Sequence, residues 1–418
     1  MPQAPAAHTR ETATMAVPAS RPLTVLIGTD TYPPDVNGAA CFTTRLAHGL
    51  GDRGTRVHVL CQSDSGPPVV REQNGVTVHR LRSVPSLAHQ SLRLAVPLGG
   101  RGHLDRLLAR VRPDVIHIQN HFIVGRLLLA AARRHGVPVV ATNHFMPENL
   151  FNHLRVPDPL RLGVGSYAWR DLFRVLGQVQ HVTTPTRIAA RLLVDGGFTR
   201  PVEALSCGID LGRFQPVGAP EDRSRVRARF GLPDRPSTLF VGRLDEEKRI
   251  EDLVRALADI TVPDCQLLLV GVGARRQRLT RLAEECGVDE RVHFLGFVSD
   301  EELPLVYHAA DVFAIAGTAE LQSIATLEAM ASGLPVVAAD AMALPHLVTT
   351  GGNGYLYAPG DHVELAKYLS ELLGSPALAA AMGAKSRQAA TRHDHQASLD
   401  RFEEIYRTVA DREGPAPA

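Results

Sequence analysis

The sequence predicts an α/β protein of two doubly wound domains, and three observations carry that prediction. Short runs rich in Val, Ile and Leu alternate with segments of helical spacing along most of the chain, the pattern of buried parallel strands joined by crossover helices. The pattern starts afresh twice, with strand, glycine-containing loop and helix, at Leu23–Gly28 and again at Ser237–Gly242. The 418 residues are also enough for two or three cores.

Composition narrows the class before any motif does. Hydrophobic residues make up 44% and charged ones 21%, an ordinary globular balance. No apolar run approaches the roughly 20 residues that a membrane-spanning helix needs. Residues 1–21 lack the basic start and apolar stretch of a signal peptide and read as a disordered leader. Five cysteines (Cys41, Cys61, Cys207, Cys265, Cys286) are scattered without CxxC spacing, which argues for a reducing compartment with neither a disulfide framework nor a zinc site. The expected location is the cytoplasm. Residues 1–209 hold 23 basic against 13 acidic side chains, whereas residues 210–418 hold 22 against 31. Such a basic half attracts an anionic membrane surface, nucleic acid or an acidic acceptor, or it docks on the acidic half.

In the first half, the strand Leu23–Gly28 leads into the turn-rich loop Thr29–Gly38 and a helix to about Gly51. Strands are expected at Val57–Cys61, Val76–Arg80, Asp114–Gln119, Val137–Thr142 and His181–Thr184, and helices at His103–Val111, Val124–His135, Gly165–Gly177 and Thr186–Gly196. His144 follows a predicted parallel strand at its carboxyl end, where such sheets bind ligands. Asn120 and His121 hold the corresponding place after the preceding strand, while His117 falls inside it and reads as core. The expected domains are residues 22–209 and 210–390, with residues 391–412 as a final helix.

The second half repeats the plan. After the strand Ser237–Val241 come Gly242, which allows close backbone approach, Arg243 with its planar fork, and Lys248, one of only three lysines. Strands at Gln266–Val270, Val292–Gly296 and Val312–Ala316 and the helices between them continue the alternation. The stretch Gly317–Ala339 then sets Glu320 on a loop, a polar turn Leu321-Gln322-Ser323, and an apolar helical run through Ile324, Leu327 and Met330 that Gly333 and Pro335 stop. Glu328 lies within that helix. A helix N-terminus flanked by two acceptor-only carboxylates suits a nucleotide-linked sugar: amides and dipole face the diphosphate, and the acids take hydroxyls.

Glu320 and Glu328, a pair of glutamates separated by seven residues, together with Gly242-Arg243 and Lys248, resemble the retaining glycosyltransferases of the GT4 family. The resemblance runs from about Leu23 to Arg412, and the domain boundary near 210 rests on it, since Val202–Asp210 resembles the family's domain junction. It implies the GT-B fold, two Rossmann-like domains facing across a cleft with the donor mainly on the second and the acceptor on the first, and a last helix that crosses back to the first domain. It also implies roles. Arg243 and Lys248 would grip the donor diphosphate, Glu320 a hydroxyl of the hexose, and Glu328 the ribose. His144 would stand beside the donor sugar, Gly38 beside the diphosphate, and the backbone of Val298 by the base. The turn Leu321-Gln322-Ser323 would join the donor contacts, although the family usually has Phe-Gly there.

A UDP-sugar is favoured as donor, with GDP-mannose admitted, and no metal or cofactor is expected because arginine, lysine and the helix supply the positive charge. The Glu-Leu-Gln variant with the loop His144-Phe-Met-Pro-Glu148 looks most like members that glycosylate diacylglycerol or related lipids, and a peripheral place on the inner membrane face would suit the segment Leu87–Arg112. A small hydrophilic or natural-product acceptor is the alternative. Nucleic acid is not an expected partner. An NAD-dependent oxidoreductase or sugar-nucleotide epimerase would need a GxGxxG turn after the first strand, which this chain lacks.

Overall fold

The computed structural model describes residues 21–35, 37–86, 93–96, 100–146 and 158–412. Residues 1–20 of the expected leader, the loop residues Pro147 and Glu148, and the tail from 413 onward lie outside them.

In the first half the strands are β1 (Thr24–Gly28), β2 (Arg56–Gln62), β3 (Val69–Gln73), β4 (Val76–Leu81), β5 (Ser83–Pro85), β6 (Arg93–Ala95), β7 (Val115–Ile118), β8 (Val139–Thr142), β9 (His181–Thr184) and β10 (Glu203–Ala204). Eight of them form a sheet in the order β10-β9-β8-β7-β1-β2-β4-β3, while β5 and β6 form a hairpin of their own. Only β3 runs antiparallel to its neighbour. β1 is buried throughout, and its alternation explains its placement: Leu26 packs on one face of the sheet, Val25 and Ile27 on the other. The helices are α1 (Gly38–Asp52), α2 (Gly100–Val111), α3 (Ile123–His135), α4 (Asp158–Leu176) and α5 (Arg187–Asp195). Asn37 starts α1 by accepting the Ala40 amide at 2.9 Å, and Gly136, in a left-handed conformation, ends α3.

The second half holds β11 (Ser237–Val241), β12 (Gln266–Val270), β13 (Val292–Gly296), β14 (Val312–Ile315), β15 (Val336–Ala339) and β16 (Gly354–Tyr357), all parallel, in the order β13-β12-β11-β14-β15-β16. Its helices are α6 (Pro220–Arg229), α7 (Ile250–Asp259), α8 (Arg276–Glu285), α9 (Leu303–His308), α10 (Ile324–Ala331), α11 (Leu344–Leu347), α12 (His362–Leu373) and α13 (Pro376–Ala390). The last helix, α14 (His395–Arg412), leaves this half: its stripe Leu399, Phe402, Ile405, Tyr406 and Val409 is buried in the first-half core. There the Tyr406 hydroxyl meets His117 Nδ1 at 2.7 Å, and Thr142 Oγ1 meets the other ring nitrogen at 2.7 Å. His117 is thus a satisfied core histidine.

Both sheets reverse their winding at one point, between β1 and β7 in the first and between β11 and β14 in the second. Doubly wound sheets bind ligands at the carboxyl ends of the strands flanking such a point. β3, β10 and the β5–β6 hairpin are additional to the sequence reading, α2 begins three residues earlier than expected, and α4 seven residues earlier. Leu104, Leu107 and Leu108 of α2 are buried in the core while Arg101, Arg106 and Arg110 face outward. The apolar residues of this helix are therefore not available to a membrane, and only its basic face is.

Candidate functional site

The loops after β11 and β14 build the first part of the site. Chain close-packing shapes the β11 loop: a Cβ on Gly271 would fall 1.9 Å from the Gly242 carbonyl oxygen, so the turn after β12 can pass there only as glycine, whose φ is +128°. Arg243 emerges beside it and pairs with Asp245 and Glu247, each at 2.6 Å. One 3-10 turn, Glu246–Lys248, then presents Lys248, whose Nζ donates to Glu320 Oε1 at 2.5 Å. Glu320 arrives on the β14 loop, tucked against Gly317, where a Cβ would lie a tight 3.1 Å from the carboxylate and 3.7 Å from Lys248. Arg243, paired with Glu247, and Lys248, paired with Glu320, thus sit on the loops after β11 and β14 that flank the reversal point of the second sheet.

Helix α10 starts directly behind. Ser323 adopts φ +64°, and its hydroxyl bonds Thr326 Oγ1 at 2.7 Å instead of capping a first-turn amide, which leaves the positive end of the helix to an anion. The turn before it is anchored to the first half. Leu321 O accepts from Thr186 Oγ1 at 2.8 Å, Gln322 Oε1 accepts from the Cys207 amide at 2.9 Å, and Gln322 Nε2 donates to Ser206 Oγ at 2.6 Å. The side chain of Gln322 therefore ties this turn to the junction between the halves.

Glu328 is only 3% exposed. Its Oε1 accepts from Arg45 of α1 at 2.5 Å and its Oε2 from the Tyr307 hydroxyl at 2.8 Å. Gly38, the first residue of α1, lies against Ile324, the first of α10, with 4.0 Å between a built Cβ and the isoleucine side chain. The two helix N-termini that the sequence singled out in separate halves therefore meet.

His144 follows β8 as expected. It is half-buried, its Nε2 is 3.0 Å from Gln119 Oε1, and its ring packs 5.0 Å from Phe42 of α1, one turn from Gly38. Burial holds the imidazole down at about 4, so it is neutral at pH 7 and can hydrogen-bond without bringing charge. Val298 follows the edge strand β13, with its side chain partly buried on the second-half core.

Sequence reasoning missed Arg45, Tyr307, Gln119 and Asp30. Asp30 follows β1 and accepts the Val124 amide at 3.0 Å, serving α3, whose own N-cap Phe122 has no side chain to do so. Burial raises its carboxyl to about 6. Its position at the end of β1, parallel to that of Asn120 after β7, was the available signal. No motif marks Arg45 or Tyr307, because their partner is remote in sequence.

Residues 222–389 match the family model described as glycosyl transferases group 1, and residues 36–213 match glycosyltransferase family 4. The chain is 29% identical over 352 residues to an alpha-monoglucosyldiacylglycerol synthase of Streptococcus pneumoniae, covering 83% of this chain and 78% of that protein. It is 30% identical over 412 residues to a D-inositol 3-phosphate glycosyltransferase of Stackebrandtia nassauensis, covering 91% and 90%. Among solved structures, Anabaena HepE in complex with UDP-glucose superposes with a TM-score of 0.75 at 21% identity, over 92% of this chain and all of that one.

Proposed function

This chain belongs to the family 4 glycosyltransferases and has their GT-B fold, and on that premise we propose that it is a retaining enzyme transferring a hexose from a nucleoside diphosphate sugar to an acceptor hydroxyl. The observation that carries the reading is the Lys248–Glu320 contact beside Arg243 at the reversal point of the second sheet. A departing diphosphate needs fixed positive charge in a sheltered place, and Arg243, Lys248 and the uncapped start of α10 offer it. Glu320 then takes a hexose hydroxyl, Glu328 the ribose, and neutral His144 stands on the acceptor side with Gly38. In the reaction the bond from C1 to the phosphate oxygen breaks on the face where the bond from C1 to the acceptor oxygen forms. The departing phosphate accepts the acceptor's proton, so no side chain is assigned as general base. Positive charge from side chains also makes a divalent ion unnecessary in this proposal.

UDP-hexoses are the favoured donors, a choice supported by the UDP-glucose held by the Anabaena neighbour. The acceptor proposed is a lipid such as diacylglycerol. Support comes from the Streptococcus relative and from a surface with a matching character: the outward Arg101, Arg106 and Arg110 of α2, and the exposed cross-strand pair Val84 and Leu94 of the β5–β6 hairpin. Among the described residues no helix is long and apolar enough to cross a membrane, so the proposed association is peripheral. The inositol phosphate glycosyltransferase relatives favour the second reading, a small hydrophilic acceptor. A screen of UDP- and GDP-sugars for nucleotide release, with diacylglycerol vesicles or soluble polyols and with EDTA added, tests all of these. Release from UDP-hexose that depends on the vesicles and resists EDTA is expected. Polyol-dependent release would move the acceptor to the second reading, and loss of activity in EDTA would refute the metal-free proposal.

A further inference from the structure

The ion pair between Arg45 and Glu328 occupies the carboxylate that the proposed donor needs. Both oxygens of Glu328 are engaged, one by Arg45 at 2.5 Å and one by Tyr307 at 2.8 Å. A vicinal diol held by a carboxylate donates one hydroxyl to each oxygen, so the diol and the guanidinium compete for Oε1. Arg45 comes from α1 and Glu328 from α10, so the pair also ties the two halves together where Gly38 meets Ile324.

The contact is poorly satisfied for a buried one. The side chains are 15% and 4% exposed, and Arg45 Nη1 is buried with no hydrogen-bond partner among the described residues. Phe214 lies 5.8 Å beneath the guanidinium and offers only its ring face. A guanidinium with an unmet buried donor is held less firmly than a fully bonded one, so this pair can yield to a ligand that offers hydroxyls to Glu328.

We propose that Arg45 is a positioning residue that stands in for the donor's ribose: it pairs with Glu328 and yields that carboxylate when a nucleoside diphosphate binds. This rests on the nucleotide reading above. The competing account is a structural tie that the donor never disturbs.

Calorimetric titration of the full chain with UDP separates the two, using wild type, Arg45→Met, Glu328→Gln and the double variant. Removing the competitor should tighten UDP binding about fivefold or more in Arg45→Met, whereas in the Glu328→Gln background the same change should alter affinity less than twofold. Where Arg45→Met does not fold, Arg45→Gln removes the charge and shortens the side chain while keeping a polar group in the buried site, and it should tighten binding in the same direction. Unchanged or weaker UDP binding by the Arg45 variants, with wild type binding normally, overturns the stand-in role alone. Equal tightening with and without Glu328 overturns it too. Failure of every protein, wild type included, to bind UDP or GDP overturns the nucleotide reading on which it rests.

Discussion

Glu320 and His144 were both visible in the sequence, yet their environments differ in kind. Glu320 faces a cation, Lys248, and its expected work is to hold a hydroxyl while that cation meets phosphate. Glu320→Gln keeps the shape and removes the charge, so turnover should fall about 100-fold or more with an unchanged melting curve. A rate within twofold of wild type would remove Glu320 from the chemistry. His144 and His117 instead owe their state to burial, which holds them at about 4 and about 3, below the ordinary 6.5. The unfolded chain regains the ordinary value and so binds more protons across that interval. Their contribution is therefore complete above pH 6.5 and is lost as pH falls toward 4. Urea midpoints should drop from pH 7 to pH 5, and the drop should shrink in His117→Asn; a midpoint independent of pH would contradict this. Arg45 marks the limit at this scale. Nothing in its local sequence singles it out, because its meaning comes from a carboxylate 283 residues away.

At the scale of elements, legibility followed burial. β1, β11, β12 and β14 are apolar runs covered on both faces, and a parallel strand of that sort announces itself. β3 reads Val-Val-Arg-Glu-Gln and lies at the sheet edge, half-exposed, so no alternation betrays it. The β5–β6 hairpin is too short to register. The helix α10 was readable because its stop signals, Gly333 and Pro335, are local, whereas the fate of Gln322 was not, since its partners Ser206 and Cys207 come from the junction. The final helix was legible as an apolar stripe, and the structure shows what that stripe does. Phe402 is fully buried between Phe42 and His117. Phe402→Ala should lower unfolding stability by about 3–5 kcal/mol. A loss under 1 kcal/mol in chemical denaturation would mean that α14 is only loosely docked.

For the whole molecule, the division of charge has a structural use as well as a proposed functional one. Arg45 of the basic half meets Glu328 of the acidic half, and Arg53, just after α1, pairs with Asp400 of α14 at 2.7 Å. Arg101, Arg106 and Arg110 face outward on α2. If that face meets an anionic bilayer, the protein should sediment with vesicles containing anionic phospholipid at low salt and be released by roughly 0.5 M NaCl, where screening reaches within a few Å. The triple variant R101E/R106E/R110E should stay in the supernatant, and sedimentation unaffected by these changes would deny that surface its role. The central claim is narrower: two sheet domains close on a donor whose leaving diphosphate is held by the cationic pair at the end of β11. Comparing nucleotide release from UDP-hexose by wild-type and Lys248→Ala proteins of matched circular dichroism tests it most directly. A loss of at least 100-fold is predicted, and release at the wild-type rate would contradict it.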